Sequence, residues 1–522
     1  MALEFCRYCD IVEERKFCES TDADICRPCK KLFELDEKVK EIKTILIGLE
    51  RERWELKSQM NEHHDRFIHR LPSEIASEIF TFCLPGYFFA LDFQDFPSKR
   101  TLEMPLVISS VCKGWRDITH STPQLWTMPP LISKQSFAKL PFIQRWIDRS
   151  GELPLSIVMR LKQKSEVNVV KVIGLLNQYS MRWLELHYEG NASLCCHFSS
   201  NVPNLRTLHL YDTSGLISFR SPIKMSAKQL QVLSLYYIRL QNSATLDFSH
   251  LCRLSLVITS VSECIEVFHR SPHLRVCILE LQTQFPPHPA GEEDHTFQPS
   301  TPISLVQLHK LRIPISCYSV IFHHLLCPSL KDLILDIENR GNSEMALVAD
   351  FLQKSKCSLE SLAINEPYPS TDQIIPICEG VPTLQHLSLS SQWSQIEDIL
   401  APLAEFHSVD GKEEPRYLPA LRSITLTTCY FPKWPNILDI FGAPPSRPPL
   451  GRQRQTLQSV IINGFIRPMA QMDWDTFSLE TLEGVMWLRE AGVNFKVYWD
   501  NLDVIRCAIN RHGLGKSWKY SP

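Results

Sequence analysis

The sequence has no run of about 18 apolar residues, so it predicts no transmembrane helix. It has no excess of either charge: 55 Lys and Arg against 58 Asp and Glu leave a net charge of −3. That balance excludes a strongly basic nucleic-acid surface and a polybasic patch for anionic membranes. The first residues, Met1 to Asp10, carry neither the basic flank nor the apolar core of a secretory signal. The 18 cysteines are therefore expected as thiols or metal ligands in a reducing compartment, cytoplasmic or nuclear, rather than as disulfides. Catalytic signatures are missing too. There is no Gly-rich phosphate loop, no GxSxG elbow and no HExxH helix. The chain is expected not to be an enzyme.

What remains is an ordinary soluble composition, 44% hydrophobic and 22% charged, which argues against a mostly disordered chain. At 522 residues it is long for one core and suits either several domains or one elongated array. Four regions follow: 1–30, 31–66, 67–130 and 131–522.

Residues 1–30 are dense in cysteine. Cys6-x2-Cys9 and Cys26-x2-Cys29 each set two thiolates on one tight turn, and two such turns close a tetrahedral zinc site with Zn–S distances of ~2.3 Å. A segment this short has no private core, so a structural zinc is the expected source of its folding energy. Cys18 is a spare thiol between the pairs. The other reading is a tail with incidental cysteines.

Residues 31–66 carry a heptad pattern. Leu32, Leu35, Val39, Ile42, Leu46, Leu49, Leu56 and Met60 follow a 3-4-3-4 spacing, with Arg53 the one break. The flanking positions mix Lys, Arg and Glu. This is the a/d seam of a coiled coil over about four heptads. Gly48 costs about 1 kcal/mol without ending the helix. The seam predicts either a homodimer through helix pairing or a helix folded back on its own domain.

In residues 67–130, Leu71-Pro72-Ser73-Glu74-Ile75 opens a helix with Pro just inside its start and Glu near its positive end. Ile75 and Ile79 share a face that Phe80 and Cys83 extend, and Leu84-Pro85-Gly86 ends the helix. A second helical stretch is predicted over Leu106–Ile118, with Val107, Val111, Trp115 and Ile118 on one stripe. Thr122-Pro123-Gln124-Leu125-Trp126 follows.

Leu-Pro-x-Glu-Ile-x-x-x-Ile-Phe, then Val-Cys-x-x-Trp-Arg, then Thr-Pro-x-Leu-Trp, resembles an F-box. The closest likeness is to the F-box-like domains of fungal proteins that open with a short coiled coil. The resemblance implies a small helical fold that binds the Skp adaptor of the Skp/cullin/F-box ubiquitin ligase. Position by position, it implies a core and docking surface made of Leu71, Pro72, Ile75, Ile79, Phe80, Val111, Cys112 and Trp115. Residues Pro85 to Met104 interrupt the pattern, a departure that leaves the adaptor contact an expectation.

Residues 131–522 repeat the form Leu-x-x-Leu-x-Leu. Copies begin at Met181, Leu205, Leu230, Leu251, Leu274, Leu308, Leu330, Leu359, Leu384, Leu421 and Leu457, with a weaker one at Leu479. A period of roughly 20–29 residues is the leucine-rich-repeat signature, one parallel strand per repeat. Three long intervals, Gln282–Pro302, His407–Pro419 and Gly442–Gln455, read as exposed loops. An apolar strand over Ser150–Met159 and a helical stretch through Leu175 read as a capping repeat.

The expected fold class is α/β: a zinc turn and coiled-coil helix, a small helical F-box-like domain, then a leucine-rich-repeat solenoid shaped as a horseshoe. The expected function is a substrate receptor of an F-box-type ubiquitin ligase, with the repeat domain binding an unknown target protein. The alternative is a repeat scaffold uncoupled from ubiquitination. His209, Tyr236, Tyr237, Arg312, His386 and Thr425 lie between strand leucines and name no ligand class.

Overall fold

A computed structural model describes residues 27–64, 71–84, 98–131, 140–161, 166–214, 223–238, 240, 246–257, 261–280, 302–315, 319–337, 344–365, 371–391, 401–409, 412–428, 438, 456–464, 478–490, 492–499 and 502–512. They fall into two compact units. One lies within Met1–Gly86 and Arg100–Trp126, the other within Tyr87–Lys99 and Thr127–Pro522. Among the described residues, no helix is long and apolar enough to cross a membrane.

The first unit is helical: α1 (Arg27–His64), α2 (Ser73–Thr81), α3 (Lys99–Leu102, whose first residue belongs to the second unit), α4 (Met104–Ser109) and α5 (Lys113–His120). The heptad segment is one continuous helix that starts four residues before the expected boundary at 31. Gly48 sits inside it with open space around it. Its seam residues from Leu32 to Met60 are 45–63% exposed, so among the described residues nothing covers the seam.

The stretch Leu106–Ile118 is not one helix. It breaks at Ser110–Cys112 because Cys112 adopts an extended backbone (φ −153°, ψ 178°) and caps the next helix, its Sγ accepting from the Trp115 N–H at 3.5 Å. The Arg116 Nε then donates to the Ser109 carbonyl at 3.1 Å and ties the two helices together. The helix after Pro72 also ends early, at Thr81 rather than Leu84.

The second unit is built on a 15-stranded sheet whose strands lie in sequence order. It opens with β1 (Pro130–Leu131), β2 (Leu155–Arg160), β3 (Trp183–Gly190), β4 (Thr207–Asp212), β5 (Val232–Tyr236), β6 (Arg253–Val257) and β7 (Val276–Glu280). It continues through Lys310–Pro314, Asp332–Asp336, Ser361–Asn365, His386–Ser391, Ser423–Thr428, Ser459–Gly464, Asn494–Trp499 and Leu502–Asp503. Every pairing is parallel except the last. All eleven repeat motifs from Met181 to Leu457 give a strand of this sheet, each beginning two residues after the motif does.

The register explains the motif. Leu208, Leu233, Leu254, Cys277, Leu311 and Leu333 stand side by side in one continuous buried row. The motif's first leucine sits in the turn before the strand. At Leu205, Leu251, Leu274, Leu308, Leu330, Leu384 and Leu421 its N–H donates to the carbonyl three residues back. Each turn therefore aims a leucine into the core, at about 1.5–3 kcal/mol per buried side chain, and feeds the chain into the next strand.

Two sequence expectations fail here. The segment at Leu479 is a helix, Leu479–Glu490, and the next strand is Asn494–Trp499. Leu482, Val485 and Leu488 are buried at three-residue spacing, a helical period that an Leu-x-x-Leu pattern also satisfies. Within His407–Pro419 the chain forms an antiparallel hairpin, Phe406–Val409 with Lys412–Pro415, not a plain loop. The other two long intervals lie outside the described residues except Pro302. Helices Glu166–Asn177, Val261–Arg270, Glu344–Ser355 and Thr371–Gly380 fill some of the return legs. A helix at Leu140–Arg149 had its signal in the spacing of Ile143, Trp146 and Ile147, all buried.

Candidate functional site

Two surfaces, one on each unit, carry features that folding alone does not require. On the helical unit, α2 is apolar on two faces. Ala76 and Phe80, four residues apart, are buried, and the Phe80 ring lies 4.7 Å from that of Trp115. Thr122 Oγ1 donates to the Ser77 hydroxyl (2.8 Å) or the Ile118 carbonyl (2.7 Å), which positions α2 against the end of α5. Trp126 is fully buried and donates its indole N–H to the Thr119 carbonyl at 2.8 Å. With this face fixed, the neighbouring one turns outward: Ile75 is 43% exposed, Ile79 37% and Phe82 80%. Spaced i, i+4 and i+7, these three form one stripe. Leu71, four residues before Ile75, is half-buried, and Pro72 is exposed.

The eight residues singled out by resemblance thus divide. Pro72, Ile75 and Ile79 are on the surface; Leu71, Val111 and Trp115 are half-buried; Phe80 and Cys112 are interior. Phe82 was missed, though its distance of seven from Ile75 gave the signal. Of the four zinc-ligand candidates, Cys6, Cys9 and Cys26 lie outside the described residues. Cys29 falls in the first turn of α1 rather than on a separate tight turn, and its side chain is not among those described. Among the described residues no group of three or more His, Cys, Asp and Glu converges on a metal position.

On the sheet, the face opposite the leucine rows changes character along its length. From β7 onward its residues alternate with the core as half-buried positions. On β3 to β6 the same face is buried: Glu185, His187, Thr207, His209, Ser234 and Ser255. The His187 and His209 rings stack with centroids 4.5 Å apart. Glu185 is 0% exposed, its carboxylate 3.9 Å from His187 Nε2, and among the described residues neither of its oxygens accepts a hydrogen bond. Burial chiefly, then the charges of His187 and Arg253, holds the His209 imidazole well below its ordinary 6.5.

That depression fixes a sign. Folded, His209 stays neutral at pH values where the unfolded chain protonates it. Below pH 6.5 the unfolded state binds the extra proton, so stability falls as pH falls, by up to about 1.4 kcal/mol per pH unit until the folded group also titrates. Thermal melts at pH 7 and pH 5.5 are expected to show this loss, and His209→Gln to remove part of it. Equal slopes in both proteins would refute the buried, neutral imidazole.

Beside the buried zone sits a cluster of aromatic rings. Tyr211 lies 5.8 Å from Tyr236 and edge-on to Tyr237 at 5.4 Å. Tyr237 has a positive φ of 64°, uncommon for a bulky residue, and presents its ring from that turn. Farther along, Arg312 donates to Asp336 (2.7 Å) and Glu280 (2.9 Å), and Asn365 donates to Asp336 (2.8 Å). Beyond Asn365 the outward positions include the small side chains Ser388, Ser390, Thr425, Thr427 and Asn463, with His386 joined to Ser423 at 2.7 Å, and the last strands add Ile461, Lys496 and Tyr498. Of the buried thiols, Cys195, Cys277 and Cys327 behave as small apolar side chains, and burial pushes each of them upward in pKa.

Comparison with known proteins returns no match: neither a protein-family profile nor a curated protein sequence matches this chain.

Proposed function

We propose that the chain is a non-catalytic adaptor. The helical unit is an F-box-like domain that docks on a Skp-type adaptor protein, and the parallel sheet is a degenerate leucine-rich-repeat solenoid that holds a target protein. The target is then brought beside a ubiquitin-loaded enzyme that the chain does not contain, and proximity supplies the rate. The observation that carries this reading is the Ile75–Ile79–Phe82 stripe: an apolar surface on a helix whose other face already fills the core. Support for the repeat reading comes from the one-motif, one-strand order of the sheet. A cytoplasmic or nuclear setting suits a chain rich in free thiols.

The test is co-purification of the full chain with a Skp adaptor, followed by target levels with the proteasome blocked. A stable complex and a target that accumulates are expected. No complex defeats the docking reading. A complex with indifferent target levels leaves the uncoupled scaffold.

The same proposal gives Cys6, Cys9, Cys26 and Cys29 a structural zinc that orders the residues ahead of α1. Metal analysis of the full chain is expected to give near one zinc per molecule, lost in Cys6→Ser/Cys9→Ser. A metal-free chain with freely reactive thiols would remove zinc from the account.

A further inference from the structure

The long helix α1 spans 38 residues, about 57 Å at 1.5 Å per residue. Its exposed seam assigns Leu32, Val39, Leu46, Arg53 and Met60 to a positions, and Leu35, Ile42, Leu49 and Leu56 to d positions. Eight of these nine are large apolar side chains left 45–63% exposed, a seam that no described residue of its own unit covers. The seam fits a second helix of the same kind, and the charges beside it decide the direction of that helix.

The e positions are Asp36, Lys43, Glu50 and Lys57: acid, base, acid, base at strict heptad spacing. Read backwards, the row becomes base, acid, base, acid. In an antiparallel pair e faces e, so every layer of this row meets its opposite: Asp36 with Lys57 of the second copy, and Lys43 with Glu50. In a parallel pair, e faces g. Lys31–Asp36 and Glu52–Lys57 are then matched, but Lys43 meets Lys38, Glu50 meets Ile45, and Arg53 at a faces its own copy across the apolar seam. Turned antiparallel, a residues meet d residues, and Arg53 lies against an aliphatic side chain with its guanidinium free to reach water. The intrahelical ion pairs, Lys40–Glu37 at 2.8 Å and Arg51–Glu55 at 3.4 Å, use the outer b, c and f positions and leave the e row available. Gly48 is also at an outer position, so it does not interrupt the seam.

We propose that α1 is a self-association surface whose occupant is a second copy of this chain, paired antiparallel through the a/d seam and selected by the alternating e row. The adaptor then carries two target-binding sheets per particle, and its helices end at opposite ends of one rod. This goes beyond the docking proposal and stands or falls without it.

The experiment is the mass of the full chain in solution by sedimentation or light scattering. Two copies are expected, and Leu46→Asp/Leu49→Asp is expected to give one copy with the melting transition of the rest unchanged, since both side chains are about half exposed in the single chain. Direction is read from Lys43→Glu. The change sets two carboxylates against each other in the antiparallel pair, the new one and that of Glu50, and weakens association about tenfold. The double change Lys43→Glu/Glu50→Lys restores it. A single-copy wild type, a mass above two copies, or a dimer indifferent to the Leu46/Leu49 change overturns the seam. Tighter association of Lys43→Glu, which would join the new carboxylate to Lys38 in a parallel pair, overturns the antiparallel assignment.

Discussion

Ile75→Lys/Ile79→Lys will lose adaptor binding by at least about a hundredfold, on the order of 3 kcal/mol, while the chain melts as before. The two halves of that result have separate causes. Both side chains face outward, 43% and 37% exposed, so lysine meets solvent in the free chain and nothing in the helical core is displaced. In a docked complex the same positions become desolvated, and a buried ammonium without a partner is costly. Phe80→Ala is the informative contrast. Phe80 is 4% exposed and packs on Trp115, so its loss is expected to cost about 3–5 kcal/mol of fold stability. Binding would fall there because the unit unfolds, visible as a lost or lowered melting transition. If Ile75→Lys/Ile79→Lys binds the adaptor as the wild type does, the stripe is not the docking surface and the reading built on it fails.

The division between Ile75 and Phe80 also shows what a sequence can and cannot disclose. Both are large apolar residues in one helix, and a motif assigns both to one surface. Only the packing of α2 on α5 separates them, through Ala76, Phe80 and the Thr122–Ser77 hydrogen bond. The sheet was far more legible. Leu-x-x-Leu-x-Leu encodes a turn leucine and two inward strand leucines at once, so eleven strands could be read from spacing alone. It failed at Leu479 because Leu479, Leu482 and Val485 satisfy a helical period equally well. Cys112 broke a predicted helix by capping the next one, a task usually given to Ser, Thr, Asp or Asn. The buried zone at Glu185, His187 and His209 had no signal. Outward positions between strand leucines look alike in sequence, whether solvent or protein covers them. Tyr211 and Tyr236 gave no sign of meeting, since cross-strand neighbours twenty-odd residues apart are set by register.

Register also sets the strongest expectation for the far end of the sheet, where Gly464→Ala is expected to cost about 3 kcal/mol. Gly464 ends the strand Ser459–Gly464 and stands beside Trp499 of the next one. Its backbone is ordinary, so conformational freedom is not what the position demands. Space is: a Cβ there would overlap the Trp499 ring atoms Cε3, Cζ3 and Cδ2. The indole cannot step aside easily, because it is 1% exposed and its residue is paired on the other side with Leu502. Alanine must therefore displace the ring or part the strands. Glycine to alanine in a strand interior otherwise favours folding by roughly 0.5–1 kcal/mol, so the expected sign is opposite to the intrinsic one. Trp499→Leu separates the two contributions. In that background the methyl group finds room, and Gly464→Ala is expected to cost under about 1 kcal/mol, a coupling of about 2 kcal/mol between the two sites. The loss should be local, because the segment beyond Gly464 contributes only the last two strands and the helices Leu479–Glu490 and Val504–Arg511 among the described residues. Limited proteolysis is expected to cut near the C-terminal strands first, with the rest of the sheet protected. A neutral Gly464→Ala in the wild-type background would show that Trp499 does not lie across the strand end, and with it that the final parallel pairing is wrong.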